Sequence, residues 1–191
     1  MKTLLTPNDK KMFYTYLDKA SVYFEYGCGG STYEANSRSN IIKIYSVESD
    51  RQWLNQVKKH TDSNKVVVFY NEMDTVPKTY GLPGKNSTPT QWINYSSHIR
   101  NLSEEEQQKI DLLLIDGRFR VACCLKCFDI IKADCFIAFD DFLNRKQYHV
   151  VLDYYNIIER TKDNRMVILQ KKMDIQSIPE DIIKKYELIS N

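Results

Sequence analysis

The sequence predicts an α/β fold: a mostly parallel sheet with helices on both faces, finished by an antiparallel hairpin. Three observations predict it. Short apolar runs alternate with amphipathic stretches at strand–helix–strand pitch from Val22 to Tyr70. Acids stand at or just after the ends of successive runs: Glu25, Glu48, Asp74, Asp116, and Asp140 with Asp141. Near the C-terminus, Lys162-Asp163-Asn164-Arg165 separates two last β-prone runs, a hairpin signal. Strand C-termini of an open parallel sheet line one crevice where ligands bind, so the acids mark a candidate site.

Each element follows from local chemistry. Thr6 as N-cap and Pro7 in the first turn open an amphipathic helix reaching about Ala20, with Met12, Phe13, Tyr16 and Leu17 at helical spacing. Val22–Tyr26 is the first strand, and Thr32–Ser37 continues as a helix. Ile41–Val47 is the second strand, with Ser49 capping a helix through Trp53, Leu54 and Val57. The β-branched run Lys65–Tyr70 is the third strand. Residues 71–91 carry Pro77, Gly81, Pro83, Gly84 and Pro89, and a loop this long past a strand end reads as a lid or substrate loop. Trp92–Arg100 returns as helix, Asp111–Ile115 as the fourth strand, Val121–Ala133 as helix and Cys135–Phe139 as the fifth strand. Tyr148–Ile157 is expected to be helical, before the hairpin strands Ile158–Thr161 and Met166–Gln170.

Composition narrows the function. A chain of 191 residues fits a single domain spanning 1–191. Lys and Arg number 27 against 25 acids, a net +2, which argues against nucleic acid or an anionic membrane as partner. No apolar run approaches the roughly 18 residues of a membrane span, and the polar start is unlike a secretion signal, so a cytoplasmic protein is expected. The five cysteines are an odd count, and Cys124-x-x-Cys127 lies inside an apolar helix, where the expected role is packing.

The segment Glu25-Tyr26-Gly27-Cys28-Gly29-Gly30-Ser31-Thr32 is a glycine turn between strand and helix, which lets backbone N–H groups approach a ligand. Glu48 follows roughly 20 residues later, the spacing at which a carboxylate accepts hydrogen bonds from ribose hydroxyls. A nicotinamide dinucleotide would want a third glycine where Thr32 stands, and its pyrophosphate would meet the charge of Glu25. A ligand bearing an amine and a sulfonium suits an acidic mouth better. An NAD(P)-dependent oxidoreductase and a non-catalytic binding or scaffold protein on the same fold remain the alternatives.

Together with Ser46-Val47-Glu48-Ser49-Asp50 and Asp116-Gly117-Arg118-Phe119-Arg120-Val121-Ala122, the glycine segment resembles the class I S-adenosylmethionine-dependent methyltransferases. The resemblance implies a Rossmann-like fold with a seven-stranded sheet. It implies that Glu25, Gly27, Gly29 and Ser31 hold the methionine end of S-adenosylmethionine, Glu48 the ribose, and Asp74 the adenine side. Asp116, Asp140 and Asp141 are similar to the ligands of divalent-cation-dependent O-methyltransferases, which implies Mg²⁺ and methylation of an oxygen. Phe119 stands where the catechol-type enzymes carry a lysine base, so Asp116 or His149 is expected as base, with Arg118 beside it. Arg120, Arg145 and Tyr80 are expected to bind the acceptor, a small molecule such as a sugar or nucleotide-sugar. Self-association is left open.

Overall fold

In a computed structural model, which describes residues 2–190, the chain folds around a seven-stranded sheet. The strands are β1 (Val22–Tyr26), β2 (Lys43–Glu48), β3 (Val66–Tyr70), β4 (Leu112–Ile115), β5 (Phe136–Phe139), β6 (Tyr155–Arg160) and β7 (Val167–Lys171). Their spatial order is β3-β2-β1-β4-β5-β7-β6, and β7 runs antiparallel to both its neighbours. The chain reverses direction across the sheet between β1 and β4, so the β1 and β4 tips flank a topological switch point.

Side chains alternate between the two faces with the strand period. Val22, Phe24 and Tyr26 share one apolar cluster with Leu113 and Ile115, whereas Tyr23 shares the other with Ile44, Leu112 and Leu114. Helices cover both faces, as a buried parallel sheet requires. The first cluster is covered by α4 (Pro89–Ser97), α6 (Arg120–Cys127) and α7 (Glu180–Glu187). The second lies under α1 (Pro7–Leu17) and α2 (Gly30–Asn36). The remaining helices are α3 (Arg51–Lys58) and α5 (Glu104–Gln108).

The strand readings hold within a residue or two, except that β6 begins at Tyr155 rather than Ile158. Several helix ends move for identifiable reasons. Asp50 rather than Ser49 caps α3, its side chain accepting from the N–H groups of Gln52 and Trp53. Thr88 and Gln91 form a capping box that starts α4 at Pro89, inside the expected loop. The segment Lys146–Asp153 is a 3-10 helix rather than an α-helix. All five cysteines are free and buried, as packing residues should be. No helix among the described residues is long and apolar enough to cross a membrane.

Candidate functional site

The glycine turn is built around Glu25. Parallel pairing sets Glu25 opposite Ser46, and its carboxylate accepts hydrogen bonds from Ser46 Oγ (2.5 Å), Ser31 Oγ (2.6 Å), Tyr23 Oη (2.8 Å) and Thr32 Oγ1. Burial pushes this carboxyl up, and the hydroxyls pull it back toward the charged form. Glu25 is fully buried and does not reach the cavity above it. The direct cofactor contact expected of it is therefore corrected: Glu25 braces the turn from beneath.

Above it, Gly27 adopts φ +91°, and a Cβ there would stand 2.9 Å from the Gly117 Cα, so the β1 and β4 tip loops touch through two glycines. A Cβ on Gly30 would stand 2.4 Å from the Thr3 backbone, so the N-terminal segment lies directly on the turn. Trp53 closes a third side, its Nε1 donating to the Cys28 carbonyl at 2.7 Å. Gly27, Gly29, Ser31, Glu48, Trp53 and Asp116 line one cavity of about 460 Å³, a size suited to a nucleotide-sized ligand. The spacing of Trp53 after Glu48 carries no signal that its ring would lie against Gly29.

Glu48 has the chemistry of a diol acceptor. Its Oε1 takes the N–H groups of Ser49 (2.7 Å) and Asp50 (2.8 Å), which fix the carboxylate. Among the described residues its Oε2 has only the weak thiol donor of Cys28 at 3.5 Å, and it keeps acceptor capacity toward the cavity. Burial raises this carboxyl to about 7, with the Asp50 and Ser49 amides opposing. The residues present thus fit an adenosyl ligand: a backbone cradle that a Cβ would fill, beside a fixed carboxylate with a free edge. Asp74 lies elsewhere. It is exposed and organises the 71–91 loop, accepting from Asn86 N–H at 2.9 Å through its carboxylate and from Gly84 N–H at 2.8 Å through its carbonyl. The adenine contact expected of Asp74 is corrected accordingly: its polar groups are engaged within the loop, and Lys78, Tyr80 and Gly81 are the loop residues that line the cavity.

The acids beyond β4 and β5 do not fit a divalent cation. Arg120 Nη2 lies 3.1 Å from Asp116 Oδ1 and its Nη1 3.7 Å from Asp141 Oδ2. Arg145 takes Asp141 Oδ2 at 2.9 Å, and Arg165, from the hairpin turn, takes Asp141 Oδ1 at 2.5 Å and approaches Asp140 Oδ2 at 3.6 Å. Guanidinium groups thus neutralise the carboxylates expected to ligate Mg²⁺. Among the described residues no group of three or more His, Cys, Asp or Glu is arranged to hold a metal ion. Burial, then the charges of Asp116 and Asp141, push the Asp140 carboxyl up to about 8, which favours its neutral form, and its Oδ1 is buried without a hydrogen-bond partner among the described residues.

The remaining predicted residues divide in the same way. Arg120 is nearly buried and donates to the carbonyls of Gly117 (3.0 Å), Asp140 (2.8 Å) and Asp116 (3.2 Å), so it is a brace and not an acceptor ligand. Arg145 is bound to Asp141 and Tyr148 Oη and does not line the cavity. His149 stacks on Phe142 at 5.3 Å, with Nε2 buried and unpartnered among the described residues, and is likewise outside the cavity. Tyr80 and Arg118 do line the cavity. A second groove, of about 490 Å³, lies on the outer side of α4 among Asn71, Gln91, Asn94 and His98, and holds none of the predicted site residues.

Sheet order, reversed β7 and a glycine turn at the switch point now stand together. The chain has a methyltransferase-like fold. A methyltransferase-like protein from Silicibacter pomeroyi superposes with a TM-score of 0.84 at 23% identity, covering 100% of this chain and 98% of that one. An RNA methyltransferase from Salinibacter ruber, in complex with S-adenosyl-L-homocysteine, gives 0.55 at 12% identity over 94% and 97% of the two chains. A Methanococcus jannaschii fibrillarin pre-rRNA processing protein gives 0.57 at 12% identity over 87% and 76%. No protein-family model and no curated protein matches the sequence.

Proposed function

We propose that this chain is an S-adenosylmethionine-dependent methyltransferase. The observation that carries the reading is the single cavity in which the Gly27–Ser31 turn faces Glu48 with one carboxylate oxygen left open. The turn's backbone amides would hold the amino-acid end of the cofactor, and Glu48 Oε2 the ribose hydroxyls. When bound, the cofactor supplies an electrophilic sulfonium methyl. The chain's contribution is to hold an acceptor oxygen in line with it and to take up the proton that oxygen loses. Of the two bases expected, Asp116 and His149, only Asp116 lines the cavity, with its side chain 35% exposed.

The acceptor we favour is the hydroxyl of a small molecule. The sugar or nucleotide-sugar reading keeps Tyr80 at the cavity mouth as support, while Arg120 and Arg145 are spent on carboxylates. We route no step through a metal, because arginines occupy the carboxylates that would bind it. Thr32 disfavours the nicotinamide alternative: its hydroxyl donates to Glu25 and accepts the Gly29 N–H at 2.7 Å, filling the place where a third glycine would serve. Calorimetry with S-adenosylhomocysteine tests the proposal. Stoichiometric binding is expected, with none for NADH or NADPH, and the reverse pattern would replace this reading with the oxidoreductase one.

A further inference from the structure

The 71–91 loop contains a strap that crosses the cavity, and Arg118 ties it to the β4 tip. At the strap's base, Thr75 bridges to Pro83 in antiparallel fashion, and Val76 N–H donates to the Leu82 carbonyl at 2.8 Å. At its tip, Lys78 (φ 62°), Tyr80 (φ 55°) and Gly81 (φ 76°) all adopt left-handed backbone. Side-chain-bearing residues seldom take that conformation without an external constraint. Within the tip, Thr79 Oγ1 donates to the Val76 carbonyl at 2.7 Å; from outside the strap, Arg118 Nε donates to the Tyr80 carbonyl at 3.1 Å and its Nη2 to the Thr79 carbonyl. Gly81 then lies over the β2 tip, where a Cβ would be 3.0 Å from Ser49 Oγ and 3.9 Å from Glu48 Oε1. One guanidinium from the β4 tip therefore ties down a roof that starts beyond β3 and covers Glu48. The Tyr80 ring itself is 83% exposed, so packing of that side chain does not hold the tip.

We propose that Arg118 is a positioning residue: a latch that keeps residues 75–83 closed over the ribose side of the cavity, so that cofactor exchange requires release of its two hydrogen bonds. Arg118 was expected beside the reacting atoms, but both of its guanidinium hydrogen bonds to the protein go to strap carbonyls. The latch rests on the cofactor reading above for the identity of what it encloses, although not for its existence.

The test compares the native chain with Arg118→Met, which keeps the aliphatic stem and removes the donors, and Arg118→Lys, which keeps the charge without the fork. Two readouts are taken. In stopped-flow mixing with S-adenosylhomocysteine, followed by the fluorescence change of Trp53 at the cavity wall, both association and dissociation should be about tenfold faster in Arg118→Met. Arg118→Lys should fall between. In limited trypsin digestion, cleavage after Lys78 should accelerate by a similar factor while the thermal midpoint stays unchanged. A folded Arg118→Met protein with native exchange rates and native cleavage at Lys78 would overturn the latch, as would faster dissociation without faster association. If the native protein fails to bind S-adenosylhomocysteine, the cofactor reading falls, and the Lys78 cleavage rates still decide the latch.

Discussion

Glu48 joins burial, titration and the proposed ribose contact in one side chain. Its folded pKa of about 7 lies above its ordinary 4.5, so the neutral form is favoured in the folded state. The stability it contributes is fully present below 4.5 and is lost as pH rises through 7. A ribose diol prefers the ionised form, so binding should release a proton and tighten with rising pH through 7. Affinity for S-adenosylhomocysteine, measured by calorimetry in buffers of different ionisation enthalpy, should show that release. Glu48→Gln should abolish the pH dependence and weaken binding about tenfold or more, the size of a charge-assisted hydrogen bond. A pH-independent affinity in the native chain would remove Glu48 from the binding site. Glu25 behaves differently. Glu25→Ala would strand four hydroxyl groups in the interior and loosen the turn above it, and the expected loss is about 3 kcal/mol in urea unfolding. Both acids were legible as acids at strand ends. Which of them lines the cavity and which faces protein was not, because that depends on Ser46, a neighbour only after β1 and β2 pair.

The elements most visible in the sequence were the strands, whose two-residue alternation and terminal acids are local signals. The Thr88–Gln91 and Ser103–Glu106 capping boxes were equally local, and the second announces the short α5 that the sequence reading passed over. The arginine knot at the β4 and β5 tips could not be read in that way. Arg165 meets Asp141 only because the hairpin folds back beside β5, and the same residue approaches Asp9 of α1 at 3.6 Å. The carboxylates therefore looked like ligands until their partners were placed. Asp141 sits at φ 57°, so Asp141→Asn is the substitution that spares the backbone while removing the charge. It should cost about 1–3 kcal/mol in unfolding free energy and leave cofactor affinity unchanged. Titration with Mn²⁺ followed by electron paramagnetic resonance should show no stoichiometric site in either protein. A site present in the native chain and lost in Asp141→Asn would restore the metal ligand role.

Across the whole molecule, the C-terminal helix is fastened by a nearly buried ion pair. Lys126 of α6 lies 2.5 Å from Glu187 of α7, and also donates to Ser97 Oγ at 2.7 Å and the Ile93 carbonyl at 3.1 Å, drawing three helices together. Removing one partner leaves the other charge without compensation, so Glu187→Ala should destabilise by about 3 kcal/mol. The Lys126→Met, Glu187→Leu double variant should recover most of that loss in thermal unfolding, and additive losses would deny the coupling. Neither α7 nor this pair was anticipated, since the sequence places the two residues far apart and the chain beyond the hairpin carries no strand-end motif. The contact of Gly27 with Gly117 has a wider consequence. With no side chain between them to absorb a displacement, a shift of the first turn presses directly on the segment bearing Asp116 and Arg118. If the chain acts as proposed, donor occupancy and acceptor geometry become mechanically one variable.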